Sequence, residues 1–231
     1  MTDEQDLLHR IAAIPDAPNS GALANELLSA FHRGYPVEKL RPLLTSEDER
    51  VVRTGTWLAS ELGEKGRPLL RDIAPLLSHP AKNVRFFAID CVLCWATPAN
   101  GRELYSVLSL IEDPEPNVRW KVMDFLTLAS PEQLQSALLI MEATRSDGGH
   151  AERLRWLLGT GGQTPDEVVA AIRSKNLLTQ RYGVAAAVRM AQRTGDLLSD
   201  APLSPDPAVN QFVQDMIELG QHSKKGGPLP G

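Results

Sequence analysis

The chain has 231 residues, of which 42% are apolar and 23% charged, with a net charge of −5. That composition is ordinary for a globular protein. The acidic total argues against a main task of non-specific contact with phosphate backbones, although 24 Lys and Arg remain available for a local basic strip. No stretch approaches the ~18 continuous apolar residues of a membrane span. The start, Met1 to Asp6, is acidic where a secretory leader is basic, so a cytoplasmic protein is expected.

In chain order, Leu7, Leu8, Ile11 and Ile14 mark a short amphipathic helix, followed by a turn at Pro15, Asp16, Pro18 and Asn19. Ser20 is the expected N-cap of a helix over 21–33, which Gly34 and Pro36 stop. Residues 1–36 thus read as N-terminal capping helices. Leu40–Leu44 opens a series of helix pairs. Ser46 and Glu49 have capping-box spacing at the start of a helix over 48–62. Helices follow over 67–77, 82–95, 102–111, 117–129, 131–145, 150–159, 165–173 and 176–193. A weak helix over Asp196–Ser199 precedes a clear one over 207–220, and 221–231 reads as a disordered tail. No run alternates apolar and polar residues over strand length, so an all-α fold is predicted.

An apolar stripe recurs along these helices. Val84, Phe87, Ala88, Cys91, Val92 and Trp95 share helical offsets with Val209, Phe212, Val213, Met216 and Ile217. Val118, Val122, Phe125, Leu126 and Ala129 match with one gap, and looser copies begin at Val52, Leu154 and Gln180. Repeats of roughly thirty residues are the sequence signature of a solenoid. The prediction is an α-solenoid of about six stacked helix pairs, one domain over 1–220. Arg53, Arg85, Arg119, Arg155 and Arg181 each follow a stripe start. They read as donors to loop carbonyls and neighbouring acids, or as a ladder for anionic ligands.

His79-Pro80-Ala81-Lys82-Asn83-Val84-Arg85 and Asp113-Pro114-Glu115-Pro116-Asn117-Val118-Arg119 resemble the Asp-Pro-x-x-x-Val-Arg opening of HEAT-type repeats. They are most similar to the short bacterial form seen in proteins related to phycobilisome lyases. The resemblance is good over roughly 40–130 and only periodic over 150–220. It implies a HEAT-like superhelix. It says little of function, because such arrays serve as adaptors, scaffolds, inhibitors, immunity proteins and, in one branch, alkylpurine DNA glycosylases.

A binding face is suggested by the positions about 150° from the stripe, which carry Phe86, Trp120, Trp156 and Tyr182. The same face takes in Trp57, Ile89, Asp90, Met123 and Asp124. An aromatic ladder with interleaved carboxylates suits a protein partner, in particular a basic one. The competing reading is that these rings wedge between adjacent repeats.

No enzyme is expected. None of His9, His32, His79, His150 and His222 has metal-ligand spacing on one helix. Nucleophile and phosphate-loop signatures are absent, and Asp90 with Asp124 is the best carboxylate pair that can be drawn. Cys91 and Cys94 read as small apolar side chains in a reducing compartment rather than a redox or metal pair. Neither cofactor nor metal is expected. The leading function is a non-catalytic protein-interaction module. The alternative is a DNA-binding or repair protein resembling the glycosylases, with Trp120 and Trp156 stacking on a nucleotide and Asp124 assisting. Lyase-like handling of a tetrapyrrole ranks last.

Overall fold

The computed structural model describes residues 3–13, 20–144, 149–159, 163–194, 197–199 and 201–225. Among them every regular element is helical. Among the described residues no helix is long and apolar enough to cross a membrane. Ile14, the turn expected at Pro15–Asn19, residues 145–148 and 160–162, Asp196 and the last residues 226–231 lie outside the described set. The chain groups into two compact units, Met1–Val107 and Leu108–Gly231, where the repeat pattern leads to one continuous domain.

The first unit holds α1 (Asp3–Ala13), α2 (Ser20–His32), α3 (Arg41–Leu44), α4 (Glu49–Ser60), α5 (Leu70–Ile73) and α6 (Lys82–Trp95). The boundary falls inside α7 (Gly101–Ser109). α2, α4 and α6 pack side by side in chain order, and α3 and α5 pack against α4 and α6. Of the stripe, Val52, Ala59, Val84, Ala88, Cys91, Val92 and Trp95 are buried, whereas Phe87 is half-buried. Burying each larger aliphatic contributes about 1.5–3 kcal/mol. The helix expected over 67–77 is instead broken into the 3-10 turns Gly63–Leu69 and Ala74–Ser78 around α5. Pro68 and Pro75 cause this, since each lacks a backbone N–H and crowds the preceding turn. Gly66 is required there. A Cβ on it would lie 2.0 Å from the ring of Trp95, whose indole N–H donates to the Gly63 carbonyl.

The second unit holds α8 (Pro116–Leu128), α9 (Pro131–Thr144), α10 (His150–Leu158), α11 (Pro165–Ile172), α12 (Leu177–Thr194) and α13 (Pro207–Lys225). Its packing leaves chain order. α8 lies against both α12 and α13, and α12 also touches α10 and α11. Every residue from Arg181 to Ala187 on α12 is buried. A helix enclosed in this way is covered all round rather than along one stripe. α13 extends to Lys225, so the first part of the expected disordered tail, 221–225, is helical. Leu197–Ser199, expected to be helical, form a bend and turn.

One opening turn recurs five times, before α4, α6, α8, α12 and α13. The side chain three residues ahead of the helix accepts a hydrogen bond from the backbone N–H two residues on. Ser46 accepts from Asp48 (3.2 Å), His79 from Ala81 (3.1 Å), Asp113 from Glu115 (2.9 Å), Ser174 from Asn176 (3.2 Å) and Ser204 from Asp206 (3.0 Å). Six residues after that side chain, Arg85 clamps the carbonyls of His79 (2.8 Å) and Pro80 (2.7 Å). Arg119 does the same to Asp113 (2.6 Å) and Pro114 (2.9 Å), and Asn210 donates to Ser204 (2.8 Å). In this register Val52 and Gln180, not Arg53 and Arg181, occupy the clamp position. The Ser46–Glu49 capping box gives way to Asp48, whose carboxylate accepts the Arg50 N–H at 2.9 Å.

Candidate functional site

Sequence reasoning singled out Trp57, Phe86, Asp90, Trp120, Asp124, Trp156 and Tyr182; the first three lie in the first unit and the other four in the second. In the first unit, Trp57 lines a groove of about 530 Å³ that crosses α2, α4 and α6. Gly21, Ala24 and Asn25 come from α2, Arg53, Thr54 and Trp57 from α4, and Asn83 and Phe87 from α6. The i, i+4 spacing of Arg53 with Trp57, and of Asn83 with Phe87, puts each pair on one helical face. Phe86 lies beside the groove, its ring perpendicular to that of Phe87 at 5.6 Å. Asp90 is half-buried and outside the lining.

In the second unit, Trp120 is half-buried, with its ring edge-on to Phe212 at 6.1 Å and the Lys121 ammonium 5.7 Å from its centroid. Asp124 is paired with Lys121 at 3.1 Å. Trp156 lines a separate cavity of about 420 Å³ between α10, α11 and α12, with Glu152, Arg153, Glu167 and Thr179. Arg153 is held there by the Thr179 hydroxyl and the Gly149 carbonyl, both at 2.8 Å. Tyr182 borders this cavity, yet its side chain is fully buried.

The solvated face therefore fails at Tyr182, Ile89 and Met123, all of which are fully buried. The physical reason is the wide buried arc of α6, α8 and α12, each of which is covered from several sides. Asp90 lies in the first unit and Asp124 in the second, and neither lines the two cavities described above.

Four of the five arginines are engaged with other residues. Arg85 and Arg119 clamp the turns described above. The Asp206 carboxylate joins Arg119 (2.6 Å) to Arg181 (2.7 Å), and Arg181 also donates to the Ile111 carbonyl. Burial pushes the Asp206 carboxyl upward, but the hydrogen bonds from Arg119, Arg181 and the Ala208 N–H outweigh it and hold the group below its ordinary range. Arg155 pairs with Glu142 at the surface. Arg53, exposed, is the one that lines the first groove.

Phe87, Asn25, Asn83 and Thr54 were not expected at a site. Phe87 belongs to the apolar stripe, and a single amide or hydroxyl on a helix looks like any solvated position. Burial pushes up the thiol of Cys91, whereas Cys94 is exposed. Among the described residues no cluster of three or more His, Cys, Asp or Glu could hold a metal ion.

No family model matches the chain, and no curated protein matches it. Among solved structures, the crystal structure of an engineered protein, a structural genomics consortium target, aligns at 14% identity. The alignment covers 96% of this chain and 98% of that one, with a TM-score of 0.47.

Proposed function

We propose that this chain is a HEAT-like helical repeat protein that acts as a non-catalytic binding module. It takes a segment of another protein into the groove across α2, α4 and α6. The observation that carries this reading is the groove itself: one face shared by α2, α4 and α6, lined by both Trp57 and Phe87 among polar groups. Its volume falls in the usual range for binding pockets, and aromatic anchors with a few polar groups are the usual makeup of such sites.

A photo-crosslinking residue at Thr54 tests it. Crosslinking to a protein partner in cells is expected there. It should be absent from the same residue at Arg71, which is exposed on α5, and lost on Trp57→Ala. Equal crosslinking at both positions would remove the groove from consideration. The nucleic-acid reading is checked by mobility of a labelled duplex at low salt. Binding that weakens steeply with added salt would favour it over a protein partner.

A further inference from the structure

Resting on that reading of the groove, we infer that the segment it takes is acidic. A partner carboxylate pairs with Arg53 while an adjacent apolar side chain lies on Trp57 and Phe87. This reverses the basic partner suggested by the aromatic–carboxylate ladder, and the reversal follows from charge complementarity in the lining. Among the described residues of the lining, Arg53 is the only charged one and none is Asp or Glu. Arg53 makes no ion pair or side-chain hydrogen bond among the described residues. The nearby Asp48 carboxylate is held instead by Arg50 at 2.6 Å.

Backbone polarity has the same sign. Gly21 and Asn83 lie in the first turns of α2 and α6, neither first turn carries an acidic residue, and α6 has no side-chain cap. Among the described residues, neither first turn supplies a carboxylate to compensate the positive end of its helix dipole.

A guanidinium presents a planar fork that matches a carboxylate in two hydrogen bonds. Asn25 and Asn83 add amide donors and acceptors, the complement of a peptide group. Phosphate would satisfy Arg53 equally well. A duplex, however, needs several such cations along its backbone, and this lining supplies one. The cavity beside Trp156 differs in sign, because Glu152 and Glu167 line it and its Arg153 is held by internal hydrogen bonds.

The test is selection of a displayed library of random peptides, about a dozen residues long, on the full chain. Enriched peptides are then synthesised and titrated by fluorescence anisotropy. Enriched peptides are expected to carry Asp or Glu beside an aromatic or aliphatic residue. Arg53→Gln should weaken them by about tenfold or more, Arg53→Lys by less, and Trp57→Leu should also weaken them. Because Arg53 is exposed, Arg53→Gln should melt with the wild type.

Peptides that need Trp57 but are basic, or are indifferent to Arg53→Gln, would overturn the acidic class and leave the groove reading standing. Enrichment of nothing, or of peptides indifferent to both positions, would overturn both. A labelled duplex that binds more tightly than any peptide, and depends on Arg53, would assign the site to phosphate and overturn the inference.

Discussion

Removing the Asp206 carboxylate is the sharpest perturbation of this fold. Its side chain is 1% exposed and receives the guanidinium groups of Arg119, 11% exposed, and Arg181, 8% exposed. Asp206→Asn keeps the shape and an acceptor for the Ala208 N–H but leaves two buried cations without their counter-ion. Breaking a buried pair by removing one partner costs about 3–5 kcal/mol. With a urea slope of about 2–3 kcal/mol/M, the midpoint should fall by about 1–2.5 M, read by Trp fluorescence.

The pH dependence has a defined sign. The folded carboxyl titrates below its ordinary range, so its contribution is complete above the unfolded value near 4. It is lost as pH falls through the lower folded value. The gap between wild type and Asp206→Asn should therefore be constant near neutrality and should close below about pH 4. A loss under about 1 kcal/mol at pH 7, or a gap that widens on acidification, would refute the argument that this carboxylate compensates both arginines.

Further outcomes follow from single contacts. A Cβ on Gly183 would meet the backbone of Ala171 and Ile172 at 2.8 Å. Gly183→Ala should cost about 1–3 kcal/mol, or about 2–12 °C in Tm by calorimetry, while Gly21→Ala, with open space around it, should leave Tm nearly unchanged. Arg85→Met should destabilise by about 1–3 kcal/mol, because it strips two turn carbonyls of their donor. Arg155→Met, at an exposed pair, should stay below about 1 kcal/mol by the same urea titration. A thiol reagent should modify Cys94 in the native protein and Cys91 only after unfolding, since Cys91 is buried and Cys94 exposed.

The sequence reading succeeded where the physics is local. Helix starts at Pro116, Pro131, Pro165 and Pro207 follow from proline chemistry, and Val84, Val118 and Val122 were legible as core from helical spacing alone. The alignment of Arg53 and Arg181 with Arg85 and Arg119 slipped by one residue. A wide apolar arc tolerates such a shift, whereas a cap hydrogen bond has a single geometry. The turn signature Ser204-Pro205-Asp206 was present in the chain but is recognisable only beside His79-Pro80-Ala81 and Asp113-Pro114-Glu115 once their bonds are seen. Of the candidate site, Trp57 was legible. Phe87 was not, because stripe position and groove position coincide on α6.

By itself the sequence determined an all-helical chain, the position of most helices and the recurring stripe. These depend on contacts a few residues apart. The tertiary structure decided that α8 lies against α12 and α13, that Asp206 holds Arg119 from 87 positions away, and that Ile89, Met123 and Tyr182 lie inside. Helical periodicity gives the direction of a side chain around its own axis, but burial depends on how many neighbours surround that axis, and those neighbours come from distant parts of the chain.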